Sequence, residues 1–357
     1  ARAPGQGEAP SGPAFAPKGP AVALDCEGVR LGRFGRVCVV QLATNCGRLF
    51  LLDALRPGMI EALAPLLQSL DLAKVVHDCR EDSAALHHQH GVRLREVFDT
   101  QAVQIALQRH QGNTPRQVSA TELLRTKLGV TEPTDLAQMK ELMLGDAELW
   151  ARRPLSGTLV RYALHGVAHL LPLRQAFLSE ALELGATATR DAANASQRAV
   201  EYCLLNRDFP SAAAMAKIGT RLWAFVAART DSGVYFKLNA GRVGLAATPS
   251  AVARFRDLQV GDAVLCCVSG VNLNGSYLYL DRYDHDWDYF DHQLRPADAR
   301  EVGVYGREHR HRTTALPGDG GVADPLLLRG LPAAEGLDGG DGLDAWEAGP
   351  EDLGLPE

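Results

Sequence analysis

The sequence lacks the features that mark membrane-spanning and disulfide-stabilised proteins. No run reaches about 18 apolar residues without a charge or a helix breaker, which excludes a transmembrane helix. The seven cysteines include no C-x-x-C pair and are odd in number, which argues against a disulfide framework and a zinc centre. Residues 1–20 contain no apolar signal-peptide core and are interpreted as a flexible leader. We therefore expect a cytoplasmic or nuclear protein that is neither secreted nor attached to a membrane.

Negative charge is scarce in the body of the chain and concentrated at its end. The 357 residues hold 37 Lys and Arg against 43 Asp and Glu, a net charge of −6. Residues 318–357 contain ten acidic residues and one basic residue, so the first 317 residues carry a net charge of +3. An acidic tail usually solvates itself and stays disordered, and less often it masks a basic surface.

A change in pattern divides the chain into two folded parts. Residues 21–184 begin with three strand-like runs and then alternate between strands and helices, which predicts a mixed α/β domain. The Ala-rich stretch 185–220 is interpreted as a helical linker. Residues 221–313 start with five short strands separated by Gly, Asp and Asn, which predicts a small β-barrel of the OB type, and 314–357 form the disordered tail.

Two carboxylates near the start of the first strand are the most informative residues. Asp25 and Glu27 stand at positions i and i+2, so their side chains share one face while Cys26 points into the core. Like charges on an apolar strand need compensation, and oxygen ligands suit Mg²⁺ or Mn²⁺. The alternative is a surface strand with two solvated acids.

A second polar segment begins where a buried strand leads into a helix. There Asp78 is expected to cap the helix, and Asp82, one turn later, is expected to face the sheet edge and add a third oxygen ligand. Alternatively, Asp82 only balances the helix dipole. His87, His88 and His90 at the other end of this helix are interpreted as solvated cations rather than metal ligands.

Four segments together resemble a known family: LDCEG with GRFGRVCVVQLAT, VVHDCRED, VFDTQ, and YALHGVAHLLPLR. Over about residues 21–180, their order and spacing are similar to the RNase D-type 3′–5′ exonucleases of the DEDD superfamily, especially the Egalitarian-like and germline small-RNA adaptors. The resemblance implies a ribonuclease H-like fold and two metal ions about 4 Å apart. It also implies that Asp25, Glu27 and Asp82 ligate these ions and that Tyr162 orients the attacking water.

The sequence departs from the family pattern at its fourth carboxylate. The resemblance places that carboxylate four residues after Tyr162, on the same helical face, where this sequence has Gly166. Glycine supplies no ligand, and the neighbouring His165 and His169 are poor substitutes in a site for a hard cation. We therefore expect a two-metal site that is incomplete.

Three functions remain open at this point. The first is a nucleic-acid-binding pseudoenzyme, an adaptor with little or no catalysis, which Gly166 favours. The second is an active Mg²⁺- or Mn²⁺-dependent 3′–5′ exonuclease, which Asp25, Glu27, Asp82 and Tyr162 favour. The third is a scaffold for protein contacts only. The expected partners are single-stranded RNA and, for an adaptor, other proteins or a second copy of the chain.

Basic side chains in both folded parts are candidates for phosphate contacts, which position a strand without reading its sequence. In the first part these are Arg30, Arg33, Arg36 and Arg80, which lie beside the two groups of carboxylates. In the barrel they are Lys237 and Arg242, with Tyr235 and Phe236 as possible stacking residues, although these two must face opposite sides of the strand.

Overall fold

The structure is a computed structural model that describes residues 19–131, 133, 139–273 and 275–283. The predicted leader up to residue 18, the end of the predicted barrel segment (284–313) and the acidic tail (314–357) lie outside these residues. None of the described helices is both long and apolar enough to cross a membrane.

A five-stranded mixed sheet forms the centre of the first part. Its strands follow the order β3-β2-β1-β4-β5, with antiparallel pairing from β3 to β1 and parallel pairing from β1 to β5. Their bounds are β1 (Ala21–Val29), β2 (Arg36–Thr44), β3 (Leu49–Asp53), β4 (Ala73–Val76) and β5 (Val97–Asp99). This confirms the expected mixed α/β sheet with a hairpin at its start.

Helices cover both faces of this sheet. They are α1 (Met59–Leu67), α2 (Arg80–His90), α3 (Thr100–His110), α4 (Ala120–Leu128), α5 (Met139–Gly145), α6 (Gly157–Ala168), α7 (Leu170–Leu184) and α8 (Ala186–Glu201). Val22, Leu24 and Cys26 of β1 face a core that includes α1 and α2. Ala23 faces a second core, on the other side, that includes α6 and α7.

The segment interpreted as a linker is largely part of this domain. Helix α8 buries Ala188 and Ala192 against α3 and α7, and Ala199 and Val200 against the opposite core. Small alanine side chains let helices approach closely, so the Ala-rich composition that suggested a linker belongs to a packed helix. A 3₁₀ helix (Tyr202–Leu204) and the short helix α9 (Ala212–Met215) then lead to the barrel.

The second part is a closed barrel with strand order β10-β8-β7-β6-β9. Its elements are β6 (Arg221–Thr230), β7 (Gly233–Lys237), β8 (Val243–Ala246), α10 (Pro249–Arg254), β9 (Ala263–Val271) and β10 (Tyr277–Arg282). The parallel pair β8–β10 and the helix between β8 and β9 fit the expected OB-type topology.

The barrel packs directly on the first part. Ile105 of α3 belongs to the barrel's own hydrophobic core. One turn later, Nη2 of Arg109 donates to the carbonyl of Val260 and to Oδ1 of Asp262, both at 2.7 Å. Ala84 of α2 joins Trp223 and Phe225 in a further buried cluster. These contacts fix the barrel beside the N-terminal end of α2.

Candidate metal and nucleic-acid site

The first strand places two carboxylates on one face of the sheet. Asp25 and Glu27 are partly exposed, while Cys26 between them is 3% exposed and lies in the opposite core. A β-bulge follows at Glu27/Gly28, where a Cβ on residue 28 would stand 2.1 Å from the carbonyl oxygen of Arg36. Only glycine fits this close approach, so the bulge bends the strand directly after the acidic pair.

A buried amide lies directly across from the first carboxylate. Gln41 of β2 pairs with Asp25 of β1, and residues paired in this way share a face of the sheet. Its side chain is fully buried, and neither its nitrogen nor its oxygen has a hydrogen-bond partner among the described residues. The sequence analysis missed Gln41, although a polar residue inside the run VCVVQLAT is a visible signal.

Helix α6 covers this face and carries the residue in place of the fourth carboxylate. The helix begins after Ser156, whose hydroxyl accepts from the backbone N–H of Leu159. A Cβ on residue 166 would stand 3.3 Å from Oδ2 of Asp25, so the backbone of Gly166 lies directly beside this carboxylate. Tyr162, one turn earlier, packs with its ring centroid 6.2 Å from that of Trp150. The structure therefore places Gly166 beside Asp25, with Tyr162 one helical turn away.

Asp82 reaches the same strand from its other side. It is 5% exposed, in the first turn of α2, and its carboxylate accepts a hydrogen bond from the Cys26 thiol. Burial, together with the neighbouring Asp82, Asp25 and Glu27, raises the pKa of the Cys26 thiol well above its usual value. The thiol is therefore a neutral donor that holds Asp82 against β1.

The described residues show no preformed metal cluster. Among them, no group of three or more His, Cys, Asp or Glu side chains is arranged to hold a metal ion. Gly166 offers no side-chain oxygen beside Asp25. Asp25 and Glu27 lie on a partly open face of the sheet, and Asp82 is buried in the first turn of α2.

The expected cap at the start of α2 is different in the structure. Cys79 occupies the N-cap position and makes no side-chain capping bond, whereas Asp78 has a positive φ of 55°. The carboxylate of Asp99 accepts instead from the backbone N–H groups of Asp78 and Cys79, at 3.1 and 2.8 Å. Its Oδ1 also accepts from the N–H of Gln101 and Ala102, so one buried acid anchors both α2 and α3. The cap of α3 by Asp99 is recognisable in the sequence VFDTQ. The bonds from Asp99 to the backbone of Asp78 and Cys79 are not, because they join residues that are distant in the sequence.

The four arginines proposed for phosphate contacts have different surroundings. Arg30 and Arg36 are exposed in the β1–β2 hairpin, and Arg36 pairs with Glu148 at 2.9 Å. Arg33 instead donates to the carbonyls of Asn206, Arg207 and Phe209, at 2.8, 2.9 and 2.6 Å. Its guanidinium therefore joins the hairpin to the segment that enters the barrel, and a phosphate contact of Arg33 stays a prediction.

Arg80 and Lys237 are also used inside the protein. Both bind the carboxylate of Asp78, with Nη2 of Arg80 at 2.7 Å and Nζ of Lys237 at 3.1 Å from Oδ2. The two cationic side chains are 7% and 10% exposed, so neither presents its charge to solvent. Both charges are therefore used in an internal ion pair, and their contact with phosphate stays a prediction. Although burial opposes its charge, Arg80 and Lys237 hold the pKa of Asp78 well below its usual range.

Two histidines at the end of α2, His87 and His88, are half-buried rather than solvated. His88 is half-buried, and its Nε2 lies 2.7 Å from the carbonyl oxygen of Cys203. Burial lowers the pKa of His88 to about 4 and also lowers the pKa of His87. His90 lies 3.8 Å from Glu61. His88 therefore supports the contact between α2 and the segment before the barrel, whereas His90 faces α1.

The sequence comparisons agree with this fold. Residues 14–181 match the family described as 3′–5′ exonuclease. Human piRNA biogenesis protein EXD1 is 32% identical over 167 residues, which cover 44% of this chain and 32% of that protein. Ribonuclease D of Xanthomonas oryzae is 31% identical over 153 residues, covering 43% of this chain and 38% of the enzyme. This part of the chain is therefore similar to the RNase D-type 3′–5′ exonuclease domains. The chain spans about a third of the length of the curated relatives it matches.

Two solved structures align with about half of this chain. Trypanosoma brucei RNase D aligns with a TM-score of 0.44 at 24% identity, over 52% of this chain and 65% of that chain. Escherichia coli RNase D aligns with a TM-score of 0.41 at 24% identity, over 52% and 46% of the two chains.

Proposed function

We propose that this protein binds single-stranded RNA through a 3′–5′ exonuclease fold that has little or no catalytic activity. The observation that carries the proposal is the contact between Gly166 and Asp25. A Cβ at residue 166 would be 3.3 Å from Oδ2 of Asp25, so the position suits a ligand side chain but supplies none. An activating metal that loses an anionic ligand loses transition-state stabilisation, and each 1.4 kcal/mol is a tenfold loss in rate.

The similarity to piRNA biogenesis proteins supports RNA as the ligand class. In this role, the chain works as an adaptor in the cytoplasm or nucleus and joins RNA to protein partners or to a second copy of itself. The exposed Arg30 and Arg36 in the hairpin after Asp25 and Glu27 are the cations we assign to the phosphate backbone.

A second candidate is an active exonuclease that uses Mg²⁺ or Mn²⁺. The observation in its favour is that Asp25, Glu27 and Tyr162 are partly exposed on or over one face of the sheet. A protein-interaction scaffold without RNA binding is the third function that the experiment below distinguishes.

The test uses the full chain and a 12-nucleotide single-stranded RNA with a fluorescent 5′ end and a free 3′ hydroxyl. We expect binding that weakens as salt rises, with a log–log slope of about −0.7 per phosphate contact. With Mg²⁺ or Mn²⁺ present, the RNA is expected to keep its length. If the RNA is shortened at ordinary enzyme rates and Asp25→Ala stops this, the protein is the active exonuclease. If no binding is measured at low salt, only the scaffold function remains.

A further inference from the structure

The outer face of the barrel carries three tyrosines on two strands, β7 and β10, that both pair with β8. Tyr235 of β7 and Tyr277 and Tyr279 of β10 are partly exposed, while the alternate residues Phe236 and Leu278 are buried in the barrel core. The register aligns them: Tyr235 pairs with Leu245 of β8, and Leu245 pairs with Tyr279. A row of side chains therefore crosses three strands on one side of the barrel.

Local packing brings these rings together and positions one of them. A Cβ on Gly270 would stand 3.3 Å from Cδ2 of Tyr279, so this ring lies directly against the glycine backbone of β9. Burial and the neighbouring Tyr235 and Tyr279 raise the pKa of Tyr277, consistent with three phenols in one patch. Tyr277 and Tyr279 are two residues apart on a strand, which separates their Cα atoms by about 7 Å.

The tyrosine face continues toward the first part of the chain. Arg242 directly precedes Val243, and Val243 pairs with Tyr277. Nη1 of Arg242 donates to the carbonyl of Gly275 in the β9–β10 turn. A Cβ on Gly241 would stand 3.5 Å from Cδ2 of Phe34, which is 42% exposed in the β1–β2 hairpin. The Phe34 ring, the Arg242 cation and the three tyrosine rings thus lie one after another on the surface, from the hairpin beside Asp25 to the barrel.

We propose that Tyr235, Tyr277 and Tyr279, with Arg242 beside them, bind unpaired bases of a single-stranded nucleic acid whose backbone continues to the hairpin at Phe34. Aromatic faces stack on any base, and a cation beside them meets the phosphate. Residues 221–283 hold seven Arg and Lys against four Asp, a net charge of +3, which suits an anionic ligand. This inference extends the proposed function, because it assigns that protein a second contact with the same strand.

The test compares the RNA affinity of the unmodified chain with that of tyrosine variants, measured by fluorescence anisotropy with a labelled oligouridine 12-mer. We expect Tyr277→Ala and Tyr279→Ala each to weaken binding about 5- to 100-fold, since stacking on one ring is worth that much per base. The matched variants Tyr277→Phe and Tyr279→Phe keep the ring and are expected to bind within about twofold of the wild type. Thermal unfolding of each variant shows that the barrel remains folded.

The ligand panel distinguishes the possible occupants of the face. Single-stranded DNA of the same length is expected to show the same dependence on the tyrosines, because both nucleic acids present base faces. Duplex RNA is expected to compete poorly, since its bases are already stacked. If duplex RNA binds as tightly as the single strand, or if the Ala variants keep full affinity, the face serves another partner such as a protein and the inference is overturned.

Failure of this inference is distinguishable from failure of the proposed function. If the wild type binds RNA and the Ala variants bind equally well, only the tyrosine face is rejected. If the wild type degrades RNA rapidly but the Ala variants bind it weakly, the inference holds and the proposed lack of catalysis is rejected. If the wild type binds no single strand at low salt, both are rejected.

Discussion

Gly166 borders the carboxylate of Asp25 so closely that a Cβ there would stand 3.3 Å from Oδ2. This distance is short, and an added side chain requires Asp25 to move by a few tenths of an ångström. Residue 166 therefore both withholds a ligand and leaves space that a small acid can enter with a minor adjustment.

Substituting Gly166→Asp tests whether the missing carboxylate limits catalysis. We expect Mn²⁺-dependent shortening of single-stranded RNA from its 3′ end to rise at least about tenfold, since each 1.4 kcal/mol of transition-state stabilisation changes the rate tenfold. Gel analysis of end-labelled RNA measures the rate, and isothermal titration with Mn²⁺ measures metal binding separately.

Gly166→Ala is the matched control because it adds the Cβ without the acid. This variant is expected to stay inactive. Its free energy of unfolding is expected to rise by up to about 1 kcal/mol, because alanine favours a helix more than glycine does, less the cost of the close contact between the new Cβ and Asp25. Adding Asp25→Ala to Gly166→Asp is expected to abolish any gain. If Gly166→Ala activates the protein as well as Gly166→Asp does, the fourth carboxylate is not the reason for low activity.

Arg33 is predicted to stabilise the junction between the hairpin and the barrel. Arg33→Ala removes hydrogen bonds to the carbonyls of Asn206, Arg207 and Phe209, and we expect a loss of about 1–3 kcal/mol in the free energy of unfolding. Arg36→Ala in the same hairpin is the control, since its pair with Glu148 is more than half exposed and is worth at most about 1 kcal/mol. Urea unfolding measures both, and equal effects would contradict the junction role.

Asp78 is predicted to be more important for stability than either of its cationic partners. Asp78→Ala leaves Arg80 and Lys237 buried without their shared anion, for which we expect a loss of about 3–5 kcal/mol. Lys237→Met is expected to cost less, because Asp78 keeps Arg80. The folded-state pKa of Asp78 is depressed, so its contribution is fully present above the unfolded value of about 3.9 and is lost as pH falls below it.

Unfolding of the wild type and Asp78→Asn at pH 7 and near pH 3 measures this dependence. The stability difference between the two proteins is expected to shrink at the lower pH. A constant difference across this range would show that the charge of Asp78 is not the stabilising feature.

Local patterns predicted the elements and part of the site, while tertiary contacts decided the rest. Alternation in LDCEG places Asp25 and Glu27 together, and helical spacing places Gly166 one turn after Tyr162. Lys237 and Asp78 are 159 residues apart, so no local pattern indicates that their charges neutralise each other. Similarly, the sequence around Arg33 is typical of a surface turn, but its guanidinium donates to carbonyls more than 170 residues away. The sequence therefore predicts cations near a cleft but not their partners at the domain junction.

His88 is predicted to make stability depend on pH in the mildly acidic range. Burial lowers its folded-state pKa to about 4, whereas the unfolded value is about 6.5. Between these values the unfolded chain binds a proton that the folded protein does not, so stability falls as pH decreases from about 6.5 to 4 and is unaffected above 7. Because His88 is half-exposed, solvent screening reduces the size of the effect.

His88→Gln keeps an N–H donor for the carbonyl of Cys203 but does not titrate, so its free energy of unfolding is expected to change less over this range. Urea unfolding at pH 7.5 and pH 5 compares the two proteins, and parallel losses of stability would assign the pH dependence to other groups.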